Sequence, residues 1–260
     1  MISIEAIRGF YPAVLSNNPV YYKYLLKEYI QLQVLDYLSN TPYARKLALI
    51  GGTNLRLVSG IDRFSEDLDF DCKDLAGNEF IQMSDDILQY LKKNGLNVIT
   101  RDRESEKLNA WRRSYYFPGF LFDLGLSGHK EEKFLIKVEA EDQEVNYKKE
   151  IVNIKSCGFF FSFPVPSEAT LSAMKIAAML NRQKGRDFYD VMFLFGRASP
   201  DYSFLKAKAG ISTLEELKRS TEKMLMTTDL KKKMKDFDHL LFNRENSRRI
   251  LQFGEFIREL

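Results

Sequence analysis

Cysteine is scarce in this chain of 260 residues: only Cys72 and Cys157 occur, and no Cys-x-x-Cys pair exists. That excludes a disulfide framework and argues against a structural zinc site, and it points to a reducing cytoplasm. Histidine is limited to His129 and His239, and neither lies near a serine or cysteine nucleophile motif, which argues against a hydrolase triad. No apolar stretch approaches the length needed to cross a membrane. The opening residues, MISIEAIRGFYPAV, lack the apolar core and small-residue cleavage site of a secretory signal. There is no internal repeat and no low-complexity segment. The expectation is a cytoplasmic globular protein without a membrane partner.

What is present is an ordinary hydrophobic fraction, 45%, and enough length for one large domain or two modest ones. Charge is unevenly spread. Residues 171–260 hold 18 Lys/Arg against 12 Asp/Glu, whereas residues 1–170 hold 21 against 24. The basic surplus of the last third suits either a nucleic-acid partner or a solvated helical surface.

Hydrophobic spacing outlines the elements. Residues 21–38 read as an amphipathic helix through Leu25, Tyr29, Leu32 and Leu35, with Pro42 as a stop. Leu47-Ala48-Leu49-Ile50 reads as a short strand entering a glycine turn, residues 53–59 as a helix ended by Gly60, and residues 67–71 as the next strand. A helix is expected over 79–94 with Gly95 as its cap, a strand over 97–100, and two antiparallel strands over 114–126 and 133–140. The aromatic, proline-punctuated FFFSFPVP at 159–166 reads as a connection. From Ser167, a plausible N-cap, the pattern is helical, and Ser212 to Glu215 has capping-box spacing. This predicts an α/β domain over 1–160 and a mostly helical domain over 161–260.

The most informative run is Gly51-Gly52-Thr53 followed by Arg63-Phe64-Ser65-Glu66-Asp67-Leu68-Asp69-Phe70. Residues two apart on a strand face the same way, so Asp67 and Asp69 share a face and repel unless a cation lies between them. Mg²⁺ takes oxygen ligands of this kind. The glycines let backbone amides approach a ligand closely, and amides opening a helix suit phosphate. A phosphate cradle followed by a metal-binding carboxylate pair points to chemistry on a nucleoside triphosphate.

This wording, GGTNLRLVSGIDRFSEDLDF, resembles the AbiEii/AbiGii-type branch of the nucleotidyltransferase superfamily, whose members include toxins of bacterial toxin–antitoxin and phage-abortive systems. The resemblance implies a mixed sheet flanked by helices and followed by a mostly helical C-terminal domain. It also implies a third carboxylate on a later strand. Glu139, within Phe134 to Ala140, fits that role, with Asp123 as its main competitor and Glu141 and Asp142 nearby. Asp67, Asp69 and Glu139 would then hold two Mg²⁺ ions, which can activate an acceptor hydroxyl and neutralise departing pyrophosphate. Lys137, two residues before Glu139, either contacts phosphate or balances the carboxylates. Gly51, Gly52, Thr53, Arg63 and Ser65 are the expected nucleotide-binding residues. Thr53 either binds phosphate or caps the following helix. Arg63 either contacts the triphosphate or pairs with Glu66 or Asp67. The chain departs from many relatives at Ile50, where a lysine or another polar residue often precedes the glycines.

A second landmark resembles the family's later motif: Lys175, then Arg182-Gln183-Lys184-Gly185-Arg186-Asp187-Phe188-Tyr189-Asp190. Lys175 and Arg182 are two helical turns apart and share a face that could hold the outer phosphates. Asp187 and Asp190 are expected to orient Arg182, Lys184 or Arg186. Trp111, beside Arg112 and Arg113, reads as a core aromatic rather than a base-stacking one, and Lys231 to Lys235 as a solvated face. The reading is a Mg²⁺-dependent nucleotidyltransferase that uses an NTP. By resemblance, RNA, in particular the tRNA 3′ end, is its acceptor, its role is that of a toxin, and a cognate antitoxin is a possible partner. The rivals are transfer to a small molecule or a protein side chain, and a non-catalytic nucleotide- or partner-binding module.

Overall fold

A computed structural model describes residues 2–101 and 111–260. The chain divides into two compact units. The first comprises Met1–Gly60, Phe64–Gln143 and Ile151–Val165; the second comprises Ile61–Arg63, Glu144–Glu150 and Pro166–Leu260.

The first unit opens with two short helices, α1 (Ile4–Arg8) and α2 (Ala13–Ser16), and then the long α3 (Tyr22–Ser39). Leu25, Leu26, Ile30, Leu32, Val34, Leu35 and Leu38 of α3 are buried, and more than one side of the helix is covered. Strand β1 (Leu47–Ile50) runs directly into α4 (Gly51–Asn54), which continues as a π-helical turn over Leu55–Ser59. That helical stretch ends at Gly60 in the left-handed region, the C-terminal stop expected of glycine. Strand β2 (Asp67–Cys72), helix α5 (Gly77–Lys93), strands β3 (Ile99–Arg101) and β4 (Trp111–Tyr116), helix α6 (Phe120–Asp123) and strand β5 (Leu135–Glu141) follow.

Five strands form one mixed sheet in the order β1-β2-β5-β4-β3. Only the β2–β5 pair is parallel; the other three are antiparallel. The β2–β5 connection carries α5, as a parallel crossover requires. One face of the sheet is apolar. Leu68 and Phe70 of β2, Ile136, Val138 and Ala140 of β5, and Tyr115 of β4 are almost fully buried. Helix α5 packs on this face, where the Tyr115 hydroxyl donates to the Ser84 carbonyl at 2.9 Å and Arg113 pairs with Asp85. The opposite face carries the charged residues of the same strands.

Two expected elements differ. The strand foreseen over 114–126 ends at Tyr116, because Pro118 and Gly119 break it and Gly119 turns left-handed to open α6. The FFFSFPVP segment is not a connection but strand β7 (Phe159–Pro166), paired in a two-stranded sheet with β6 (Lys149–Ser156). Its alternating buried residues, Phe161 and Phe163, supply the reason: every second aromatic faces the core, and Phe163 packs against Phe70. The longest continuous stretch of the second unit begins at Pro166.

The second unit is helical: α7 (Glu168–Arg182), α8 (Gly185–Phe195), α9 (Tyr202–Ala209), α10 (Leu214–Leu225), α11 (Leu230–Lys235) and α12 (Phe253–Glu259). Ser167 caps α7 by accepting the Thr170 amide at 3.2 Å, as its sequence position suggests. The capping box of α10 lies one residue later than the spacing implied: Thr213 accepts from the Glu216 amide, and Glu216 accepts from that of Ser212. Phe188 and Phe253 meet edge to face at 5.0 Å within the core of this unit.

Candidate active site

The site is built from one row across the sheet. Strand register places Ile50 of β1 opposite Asp69 of β2, Asp69 opposite Glu139 of β5, and Glu139 opposite Arg112 of β4. Directly opposed residues share a face, so these four side chains rise together. One step along, Asp67 opposes Lys137, and Lys137 opposes Ser114. Asp67, Asp69 and Glu139 therefore share the face of the sheet away from α5 with Lys137 and Arg112. Their side chains are partly open to solvent, Asp67 at 20% and Glu139 at 22%.

The glycine turn fits against this row without spare room. Gly51 has φ +72°, and a Cβ there would collide with Oδ2 of Asp69. Two independent restrictions, a left-handed backbone and contact with a carboxylate, thus demand glycine at this residue. Thr53 neither caps a helix through its side chain nor points a free hydroxyl at a ligand. Its Oγ1 donates to the Asp67 carbonyl at 2.6 Å and braces the start of β2 against α4. Ser65 is buried, and its carbonyl accepts from Gln31 Nε2 at 3.4 Å.

Arg112 grips Glu139 with a fork. Its Nε lies 2.7 Å from one carboxylate oxygen and its Nη2 lies 2.7 Å from the other. Hydrogen bonding to Glu139 is the main reason that the Arg112 pKa rises above its ordinary value. Its partial burial opposes this, while the charges of Glu139, Asp67 and Asp69 add to it. Lys137 Nζ stands 3.5 Å from Asp67 Oδ1, which favours charge balance over a free phosphate contact. Among the described residues no group of three or more His, Cys, Asp or Glu is arranged to hold a metal ion. The expected ligand set of Asp67, Asp69 and Glu139 is on one face, but Glu139 is engaged by Arg112. Asp123, the alternative third carboxylate, is exposed on α6 rather than on a strand paired with β5. The oxygen donors of Asp67 and Asp69 are of the kind that suits Mg²⁺, which commonly takes one or two carboxylates and completes its shell with water and phosphate oxygens.

The second landmark forms a separate, buried charge cluster within the second unit. Asp190, fully buried, accepts from Arg63 through both oxygens at 2.7 Å and from Lys175 Nζ at 2.8 Å. Arg63 thus pairs with Asp190, which lies 127 residues along the chain. Burial pushes the Asp190 carboxyl up, but Arg63 and then Lys175 outweigh it and bring the value down to about 2. Burial lowers the Lys175 pKa, and the Asp190 charge opposes that shift only in part.

Asp187, also fully buried, binds Arg182 at 2.8 and 3.0 Å and accepts the Lys184 amide at 3.1 Å. The shared positive face expected of Lys175 and Arg182 is thus divided: Lys175 lies inside, while Arg182, Lys184 and in part Arg186 reach solvent. Ile61–Arg63 is fastened into the same unit by Asp62, whose carboxylate accepts from Tyr189 at 2.7 Å and from Asn246 at 2.8 Å.

The family model described as "Nucleotidyl transferase AbiEii toxin, Type IV TA system" matches residues 33–253. The chain belongs to the AbiEii nucleotidyltransferase toxin family. Solved structures agree with that fold. MenT4, a nucleotidyltransferase toxin of Mycobacterium tuberculosis, aligns with TM-score 0.63 at 16% identity, over 100% of this chain and 91% of its own. JHP933 of Helicobacter pylori aligns with TM-score 0.53 at 20% identity, over 91% of this chain and 90% of its own. At such identities the likeness concerns the fold. No curated protein matches the chain.

In this AbiEii-family chain, Arg112 is the site residue whose place the motifs did not signal. Its neighbour Trp111 points to the other face, is 43% exposed, and lies over Gly77 with its ring stacked on Phe80 at 6.3 Å, so it is not the core aromatic expected. Ile50, the departure from the family wording, stands partly exposed beside Asp69.

Proposed function

We propose that this chain is a Mg²⁺-dependent nucleotidyltransferase that moves an NMP from an NTP to a hydroxyl of RNA, with the tRNA 3′ end as acceptor. The observation that carries the reading is Asp67 and Asp69 on one sheet face, with Gly51 packed against Asp69 at the mouth of a helix. Asp67 and Asp69 would hold the metal, and Glu139 would join them as the third carboxylate. When bound, Mg²⁺ supplies charge neutralisation on the triphosphate and lowers the pKa of an acceptor hydroxyl. The amides of Gly52 and Thr53, at the start of α4, would face the phosphates.

In the reaction, the acceptor oxygen forms a bond to the α-phosphorus. The bond from that phosphorus to the β-phosphate oxygen breaks, pyrophosphate leaves with its electron pair, and the hydroxyl proton passes to water. Arg182, Lys184 and Arg186 sit at the surface of the second unit and would meet a polyanion there, with Arg182 held in orientation by Asp187. The basic surplus of residues 171–260 supports RNA as that polyanion. Family membership supports a toxin role and a cognate antitoxin. Among the described residues no helix is long and apolar enough to cross a membrane.

The test is incubation with Mg²⁺, each α-³²P-labelled NTP in turn, and total tRNA, with a D67A/D69A control. Label on RNA with the wild type alone is the expected result, and it identifies the base as well. NTP binding with no labelled RNA would replace the acceptor with a small molecule or a protein side chain. No NTP binding would overturn the enzymatic reading.

A further inference from the structure

The carboxylate face contains its own competitor for metal. Asp67, Asp69 and Glu139 bring three negative charges, and Lys137 and Arg112 return two positive ones. The two cations are not equivalent. Lys137 approaches Asp67 at 3.5 Å and leaves the second oxygen of that carboxylate free of it. Arg112 takes both oxygens of Glu139 at 2.7 Å in the planar, two-point geometry that guanidinium offers and ammonium does not. A carboxylate gripped in this way has its best lone pairs directed at nitrogen, so it is a poor metal ligand until the grip is released. The pairing is also prearranged: Arg112 and Glu139 are direct partners in the β4–β5 register, and Glu139 is the direct partner of Asp69 in the β5–β2 register. Arg112 is 41% exposed, so its side chain has room to swing away without disturbing the core.

We infer that Arg112 is a built-in counter-cation that holds Glu139 out of the metal site until a metal or a triphosphate draws the two apart. In this arrangement the metal-free face binds one divalent ion weakly, through Asp67 and Asp69. Full ligation requires Arg112 to leave Glu139, and the freed guanidinium then stands beside the site with a charge suited to phosphate oxygens. Arg112 is in this sense a positioning residue, acting on the metal through Glu139.

The inference rests on the metal-dependent reading proposed above, and binding of Mn²⁺ alone separates the two. Full-length wild type, R112M, R112K and R112M/E139Q are titrated with Mn²⁺, and free Mn²⁺ is followed by electron paramagnetic resonance, without nucleotide. R112M is expected to bind Mn²⁺ about tenfold more tightly than wild type, the Coulomb effect of removing one neighbouring unit charge from a largely solvated site. R112K, which keeps the charge but loses the fork, should fall between them, and it serves as the comparison if R112M does not fold. R112M/E139Q should return to the wild-type affinity, because the gain needs the freed carboxylate. Equal or weaker Mn²⁺ binding by R112M and R112K overturns the inference and leaves the metal reading standing. Retention of the full gain in R112M/E139Q also overturns it. Absence of Mn²⁺ binding in every variant overturns both.

Discussion

The buried cluster around Asp190 makes a quantitative demand on stability. Asp190 is fully buried and faces two cations, Arg63, fully buried, and Lys175, 5% exposed. Replacing it with asparagine keeps the shape but strands both positive charges away from water. Breaking one buried pair in this way costs about 3–5 kcal/mol. For a chain of this size that corresponds to a fall of about 10 °C in the melting temperature. Urea unfolding of D190N, followed by far-UV circular dichroism of the helical unit, measures it.

The pH dependence gives a second reading of the same interaction. Asp190 has its pKa lowered from 3.8 to about 2 in the folded protein. Its contribution is therefore fully present above about pH 4 and is lost as the pH falls through about 2. That shift corresponds to about 2 kcal/mol, which wild type should lose over this window and D190N should not. Replacing the whole cluster, in R63M/K175M/D190L, should recover much of the loss, because an apolar core tolerates what a stranded charge does not. A D190N protein within about 1 kcal/mol of wild type, with no difference in its acid limb, would refute the account of Asp190 as a structural tie.

Three further outcomes follow from the site. G51A meets both a left-handed backbone and the Asp69 carboxylate, so it should lose about 1–3 kcal/mol in thermal melts and about a hundredfold in label transfer, through displacement of Asp69. D67N and D69N should each abolish transfer yet melt within about 0.5 kcal/mol of wild type, since both carboxylates are partly solvated and mutually repulsive; a large loss of stability would make them structural. G185A should cost about 1–3 kcal/mol, because a Cβ at that position runs into the Lys233 carbonyl where α8 begins against α11; differential scanning calorimetry checks it.

Short-range signals in the sequence were legible nearly to the residue. The strand–turn–helix of Leu47 to Ser59, its stop at Gly60, the cap at Ser167 and the shared face of Asp67 and Asp69 all depend on residues within a few positions of one another. Family wording extended this to Glu139, a link that spacing alone does not make. Long-range features were not legible. Arg63 and Lys175 carry charges that ordinarily face water, and nothing local says that Asp190 draws both inside. The place of Arg112 became visible only with the register of β4 on β5, and register is a property of two strands rather than of either one. The misread segments fit this division. FFFSFPVP looked like a connection because its two prolines suggest one, whereas the burial of Phe161 and Phe163, set by the core they face, makes it a strand.

The two clusters treat charge in opposite ways, and the contrast bears on their roles. Around Asp190 the charges are fully buried and joined by several short bonds, so any rearrangement would expose an unpaired ion to a low dielectric. Such a cluster resists change, and it fixes Ile61–Arg63 within the second unit. On the sheet face the charges are partly solvated and the pairs are exchangeable at small cost. Under the proposed function this site would admit a divalent ion and a tetra-anionic triphosphate and then release pyrophosphate, which pairs of this second kind suit. The family's two motifs are thus divided in physical terms: the glycine turn and the Asp67–Asp69 strand present charges that can change partners, while Lys175 and Asp190 lock theirs. On the proposed function, chemistry belongs with the first set, and Arg182, Lys184 and Arg186 are the members of the later motif that reach solvent.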